Sequence, residues 1–458
     1  MKKFALVSII FILFATNIYS KNSNYIDKII NLYNISSGGT IEYNATKTKD
    51  GYKLFITPKD EFLRSIFKKS FIDIKVDEGP IVSSPHFTIA KAGLSSKGLI
   101  STLLNPNILK ESNSSLNKSH YIYEGIVGFS KSLDESFILE PIYIYSNNFE
   151  LNSSKIVSKS SFNLDTFIGK KSINIDKLNL KESNIVDIKA KGLKIYFSIN
   201  DKPIDNIALF SSIEFGAKKL NYITKDRKKD LNILFDIKEE TKKVDNKFLN
   251  SNIKFYSKAL DMPTIALSKG IKELNLNIDF KNLGIEGLLD FYKLQKEYDK
   301  LNQEIREASK QGDNLAIQKA VLKNQELTNK MVPMWNHLFI KDKTKIVVNI
   351  GLKSIKDSYI KLDLVYRGKP LSGDAQSAII SLMSEQLALF DGDFDIAIEQ
   401  DLINSINPLS IMMFDLLKSK GFIRLKDGVY YIKGSLRGGK IIINNKSYTL
   451  PELTKAIF

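Results

Sequence analysis

The chain contains no cysteine, so disulfide staples, thiolate metal sites and thiol catalysis are all excluded. Its stability has to come from burial and backbone pairing. Arginine is scarce: it occurs only at Arg64, Arg227, Arg306, Arg367, Arg424 and Arg437, and lysine supplies the rest of the 67 basic residues. Bidentate phosphate recognition prefers arginine's planar fork, and no basic patch is interleaved with aromatics. The formal charge of +16 therefore does not argue for a nucleic-acid partner. Two readings of it stay open: a solvated face that keeps the protein dispersed, or a basic surface drawn to anionic lipid headgroups. Histidine is limited to His86, His120 and His337. No two lie three or four apart, so no helix face offers a histidine pair, and each reads as a structural histidine.

A long hydrophobic run is also missing. Lys2 and Lys3 precede a largely apolar stretch, Phe4 to Ala15, broken by Ser8, with the small Ser20 a few positions later. A bilayer-spanning helix needs about 20 apolar residues, and this stretch is shorter. Charged start, short apolar core and small residue are the layout of a secretory signal peptide over residues 1–20. The alternative is an uncleaved anchor extended by Ile18 and Tyr19. The first predicts a periplasmic protein, the second an inner-membrane-anchored protein facing the periplasm.

What remains is a globular composition, 43% hydrophobic and 26% charged over 458 residues, enough for a sizeable core. Ile26, Ile29, Ile30 and Tyr33 at helical spacing predict a short amphipathic helix. A hairpin follows, with Ile41, Tyr43 and Ala45 alternating, a turn at Lys49-Asp50-Gly51, and Tyr52, Leu54 and Ile56 returning. Period-two alternation then dominates to about residue 280. It is clear at Ile72, Ile74, Val76; at Leu193, Ile195, Phe197, Ile199; at Leu231, Ile233, Phe235, Ile237; and at Leu274, Leu276, Ile278, Phe280. Ile173 and Ile175 lead to Leu178 and Leu180 with a one-residue slip, as a β-bulge would give. One face is apolar and the other wet, which predicts a long antiparallel amphipathic sheet, a meander spanning 21–286.

The period changes at Gly287. Leu294, Tyr298, Leu301, Ile305 and Ala308 follow a heptad seam. Gly312 reads as a C-cap and Asp313 as an N-cap, with Leu315, Val321, Leu322 and Leu327 on a second helix ending at Pro333. An inserted helical hairpin over 287–333 results. Leu294, Tyr298, Leu301 and Ile305 form its candidate lid or partner face: the cover is either the chain's own sheet or a second copy of the chain. The remainder, 334–458, predicts strands at 345–350 and 359–366 and a helix from Ala375 to Phe390. That helix carries Ala378, Leu382, Gln386 and Leu389 on one face, with Gly392 beyond its end. A strand at Phe394, Ile396 and Ile398 follows, then a helix from Leu409 to Lys420 capped by Gly421. Short strands close the chain, joined by turns at Lys426-Asp427-Gly428, Arg437-Gly438-Gly439 and Asn444-Asn445. The fold class is α+β and β-dominated, with a C-terminal helix-plus-β-hairpin module.

No catalytic constellation emerges, and no residue pattern calls for a cofactor. Gly93-Leu94-Ser95-Ser96-Lys97-Gly98 has Lys97 where a nucleophile elbow needs glycine, and reads as an exposed turn. Asp391, Asp393 and Asp395 form a tight acidic cluster, but Glu399 arrives too early for a calcium loop, so a strand-entry turn is the better reading. Asp393 with Asp395 is the pair on which an unrecognised hydrolase would have to rest.

Two stretches resemble a known family. The strand-plus-Gly-Pro segment Phe71-Ile72-Asp73-Ile74-Lys75-Val76-Asp77-Glu78-Gly79-Pro80-Ile81 is similar to one near the start of the YdgA-like bacterial envelope proteins. Leu416-Leu417-Lys418-Ser419-Lys420-Gly421-Phe422-Ile423, Gly428-Val429-Tyr430-Tyr431 and Gly439-Lys440-Ile441-Ile442-Ile443-Asn444-Asn445-Lys446 resemble that family's closing module. Asn445 stands where the family usually has glycine, and Glu78 where it usually has histidine. The resemblance implies an exported or membrane-anchored envelope protein and brings no catalytic residues. Together these features predict a non-enzymatic envelope protein that binds lipid or another hydrophobic ligand on its amphipathic sheet. The alternative is a periplasmic scaffold working through protein contacts.

Overall fold

The computed structural model describes residues 23–37, 40–49, 51–59, 64, 68–78, 85–89, 113–114, 121–127, 131–146, 149–182, 186–224, 230–261, 271–384, 386–406 and 408–457. Residues 1–20, expected to be a signal peptide, His120 and the Gly93–Gly98 motif lie outside them. The fold is α+β and β-dominated, with a long antiparallel meander. The chain divides into two compact units, one formed by residues 1–238 with 259–265, the other by 239–258 with 266–458.

The first unit opens with helix α1 (Ser23–Ser36), longer than its apolar spacing alone marks out. Strands β1 (Ile41–Lys47), β2 (Gly51–Pro58), β3 (Ser70–Glu78), β4 (Pro85–Ile89), β5 (Asn113–Ser114), β6 (Tyr121–Val127) and β7 (Ser132–Leu139) follow. Next come β8 (Ile142–Ser146), β9 (Phe149–Ser153), β10 (Ile156–Asn163), β11 (Gly169–Glu182), β12 (Val186–Ile199), β13 (Ser211–Thr224) and β14 (Asp230–Lys243), of which 230–238 belong to this unit. The expected β1–β2 hairpin forms, with Tyr43 opposite Ile56 and both buried. Ile29, Leu32, Tyr33 and Ile35 of α1 are buried, and the Asn34 amide both accepts from and donates to the Tyr43 backbone. Lys28 of α1 and Lys131 both pair with Asp165.

The slip between Ile175 and Leu178 is not a bulge on one strand. Ile175 faces Leu193 and Lys177 faces Lys191, so both strands pass one residue and the register is kept. The same three-residue spacing of buried positions recurs on neighbouring strands: Leu139 and Ile142, Ser153 and Ile156, Ala190 and Leu193. An odd spacing moves a side chain to the opposite face of a pleat. Taken together on aligned strands, it marks a crease across which the sheet bends while its apolar residues stay inside. Gly192, with φ at +58°, supplies the left-handed backbone that the crease requires. Ser154 bridges it, its N–H donating to the Lys177 carbonyl at 2.8 Å and its hydroxyl accepting from the Lys177 N–H at 2.9 Å.

The second unit contains residues 248–258 of β15 (Phe248–Asp261) and β16 (Glu273–Gly284), then helices α2 (Ile285–Gln311), α3 (Asn314–Asn329) and α4 (Met331–Leu338). Gly312 is left-handed at φ +69°, and the Asp313 side chain accepts from the Ala316 N–H at 3.0 Å, as the sequence predicts. The second arm stops short of Pro333, which instead sits in the first turn of α4, where proline is tolerated. Strands β17 (Lys345–Lys353) and β18 (Asp357–Tyr366) then extend the meander.

The expected helix from Ala375 to Phe390 is corrected. Helix α5 is Ala375–Ser384, a 3₁₀ turn covers Gln386–Leu389, and Phe390 opens strand β19 (Phe390–Glu399). Gly392 is no cap: it lies in β19, where a Cβ would strike the Asp363 carbonyl of β18. Two helices follow, α6 (Gln400–Ile406), which the sequence reading missed, and α7 (Pro408–Ser419). The closing strands are β20 (Arg424–Lys426), β21 (Val429–Arg437), β22 (Lys440–Ile443) and β23 (Lys446–Tyr448), before helix α8 (Leu450–Ile457). Their three hairpin turns carry positive φ at both central residues, Asp427-Gly428, Gly438-Gly439 and Asn444-Asn445, the geometry that matches strand twist. Asparagine tolerates that region, so Asn445 keeps the turn without glycine.

Candidate functional site

In the second unit, cross-strand register builds one apolar face from six strands. Phe255, Leu276, Ile350, Ile360, Ile396 and Ile432 lie opposite one another in a row across β15, β16, β17, β18, β19 and β21. Ile253, Ile278, Val348, Leu362, Phe394 and Gly434 form the next row. Every one of these twelve positions is half-buried; none is sealed from solvent. In the first unit the corresponding inward residues, such as Ile173, Ile175 and Ile195, are almost fully buried. The reverse side is hydrophilic: Asn252 donates to Asn277 at 2.7 Å, Asn277 donates to Asp279 at 2.9 Å, and Tyr359 donates to Asp395 at 3.1 Å. At the C-terminal edge, Phe394, Ile398 and Ile432 pack against Ile403, Phe422, Ile423, Tyr430 and Ile443. The face is thus anchored at one side by the closing module and left partly open along β15–β18.

The four residues of the predicted lid or partner face come together, but within the hairpin. Leu294 and Leu301 are buried against Ala320 and Leu327 of α3, with Tyr298 and Ile305 packed beside them. Tyr298 hydrogen-bonds Thr328 at 2.9 Å, and Lys323–Glu304 and Lys330–Glu297 link the arms. The cover is the hairpin's own second helix. Of the apolar residues read on that second helix, Leu327 is buried, whereas Leu315, Val321 and Leu322 point outward at 61–64% exposure.

The acidic cluster is dispersed along β19 and is not a strand-entry turn. Asp391 accepts from Arg367 at 3.1 Å and from the Gly438 N–H at 2.8 Å, and Asp393 pairs with Arg437 at 2.7 Å. Each carboxylate thus has a donor, Asp395 through the Tyr359 hydroxyl.

Two further clusters escaped the sequence reading because their members are far apart in the chain. In the first unit Glu135, Ser160 and Lys171 are cross-strand neighbours. Ser160 donates to Glu135 at 2.6 Å and Tyr33 of α1 donates to it at 2.8 Å. Burial pushes the Lys171 ammonium below the ordinary lysine range, and Glu135 opposes that shift. Through the Tyr33 bond to Glu135 the cluster anchors α1 on the sheet. In the second unit, His337 of α4 meets α2: its Nδ1 lies 2.9 Å from an Asp290 carboxylate oxygen and 3.7 Å from one of Glu286. A depression of about 410 Å³ also lies at the crease of the first unit, beside Gly192, Gly216, Lys194, Glu214 and Asp236. Burial and the neighbouring Glu214 push the Asp236 carboxyl up.

Among the described residues no helix is long and apolar enough to cross a membrane. No protein-family model matches the chain, and no curated protein or solved structure matches it.

Proposed function

We propose that this chain is an exported cell-envelope protein that holds a lipid acyl chain, or an apolar ligand of similar shape, against the β15–β18 face, without catalysing a reaction. The observation that carries this reading is the pair of aligned apolar rows whose side chains all remain partly open. A chain of methylenes laid along such a face gains about 0.8 kcal/mol for each one removed from water. Export rests on the charged, apolar and small-residue order of the first twenty residues.

Protein extracted from its own membranes and examined by native mass spectrometry should carry lipid. Ile350→Asp, at the centre of the face, should release it and should abolish titration by a fluorescent fatty acid, with the circular dichroism spectrum unchanged. Lipid-free protein that also ignores the fatty acid would refute the proposal. A scaffold role is the second reading, favoured by the outward Leu315, Val321 and Leu322 of α3. A defined heteromer without lipid in the same spectra would support it.

A further inference from the structure

We infer that Glu286, Asp290 and His337 form a binding site for a divalent cation of the zinc type. The three ligand atoms lie within 4.8 Å of one another. Ligands of a tetrahedral zinc ion at its usual bond lengths sit about 3.3 Å apart. The observed separations of 2.9 Å and 3.7 Å from the His337 Nδ1 fall on either side of that value, so small side-chain rotations close the set. One imidazole nitrogen with two carboxylates is a donor set suited to zinc, and a fourth position remains open to water.

Two features of the local structure point the same way. Glu286 and Asp290 are four apart on α2, where like charges repel. In a chain with 67 lysines and arginines, neither carboxylate has one within ion-pair reach among the described residues; their shared partner is His337. A bound cation would neutralise both. The approach is also built into the backbone. Any side chain at Gly284 or Gly287 would collide with the backbone of His337 or Leu338, so glycine at both positions lets the start of α2 reach the end of α4. The ion would tie these two helices together beside the end of β16.

Calorimetric titration of the metal-free protein with zinc chloride tests the site. The expected result is one ion per chain, with affinity reduced at least tenfold by Glu286→Gln and abolished by His337→Ala. Glu286 is 74% exposed, so its variant keeps the fold and separates ligand loss from unfolding. Zinc should raise the melting temperature of the parent and not that of His337→Ala. Absence of binding to the parent, or either variant binding as tightly as the parent, overturns the inference.

Discussion

Single residues in this protein act mainly by fixing one element on another, and Asp165 is the clearest case. Lys131 and Lys28 hydrogen-bond its carboxylate and hold its pKa at about 2. An unfolded aspartate titrates near 3.9. Because the folded value is the lower one, the contribution is complete above about pH 4 and is lost as pH falls through about 2. Asp165→Asn should therefore be less stable than the parent at pH 6, with the difference shrinking towards pH 2. Urea melts across that range measure it, and a pH-independent difference would contradict the assignment. Neither the pairing nor its pH dependence is legible in sequence, since Lys28 and Asp165 are 137 positions apart.

At the scale of elements, the helical hairpin is a self-contained unit. The heptad spacing of Leu294, Tyr298, Leu301 and Ile305 identifies its inner seam, because side chains three and four apart share a helix face. What covers that seam is a matter of packing, and α3 supplies Ala320 and Leu327. Leu301 is 1% exposed, so an aspartate there should cost at least the roughly 2–5 kcal/mol of truncating a buried leucine. Leu301→Asp should lower the denaturation midpoint and the helical ellipticity while leaving oligomeric state unchanged. A stable variant with altered assembly would point instead to an intermolecular seam.

At the scale of the molecule, the charge of +16 is a long-range property that pairwise contacts do not reveal. Screening shortens its reach to about 10 Å at 0.1 M salt and about 3 Å at 1 M. If the basic surface meets anionic headgroups, co-sedimentation with anionic vesicles should fall steeply as salt rises between those limits. Neutral vesicles should retain little protein at either salt. Equal retention on neutral and anionic vesicles would assign the charge to solubility alone.

The sequence by itself determined the fold class, most of the strand and helix positions and the caps at Gly312, Asp313 and Gly421, because these depend on side-chain period and local backbone preference. Three left-handed turns were legible for the same reason. Tertiary structure decided the rest. Whether an apolar strand face is sealed depends on what packs over it, so Ile173 and Ile350 look alike in sequence, yet one is buried and the other half-open. The slip at Ile175 became a crease only when paired strands placed the same spacing side by side. Gly392 became a strand residue through its pairing with Leu364 and Leu436, and the neighbouring β18 backbone leaves no room for a Cβ there. His337, unremarkable in the chain, gained Asp290 and Glu286 through the close approach of two helices. Local periodicity records which side of an element is apolar; only the register and contact of distant segments decide what that side meets.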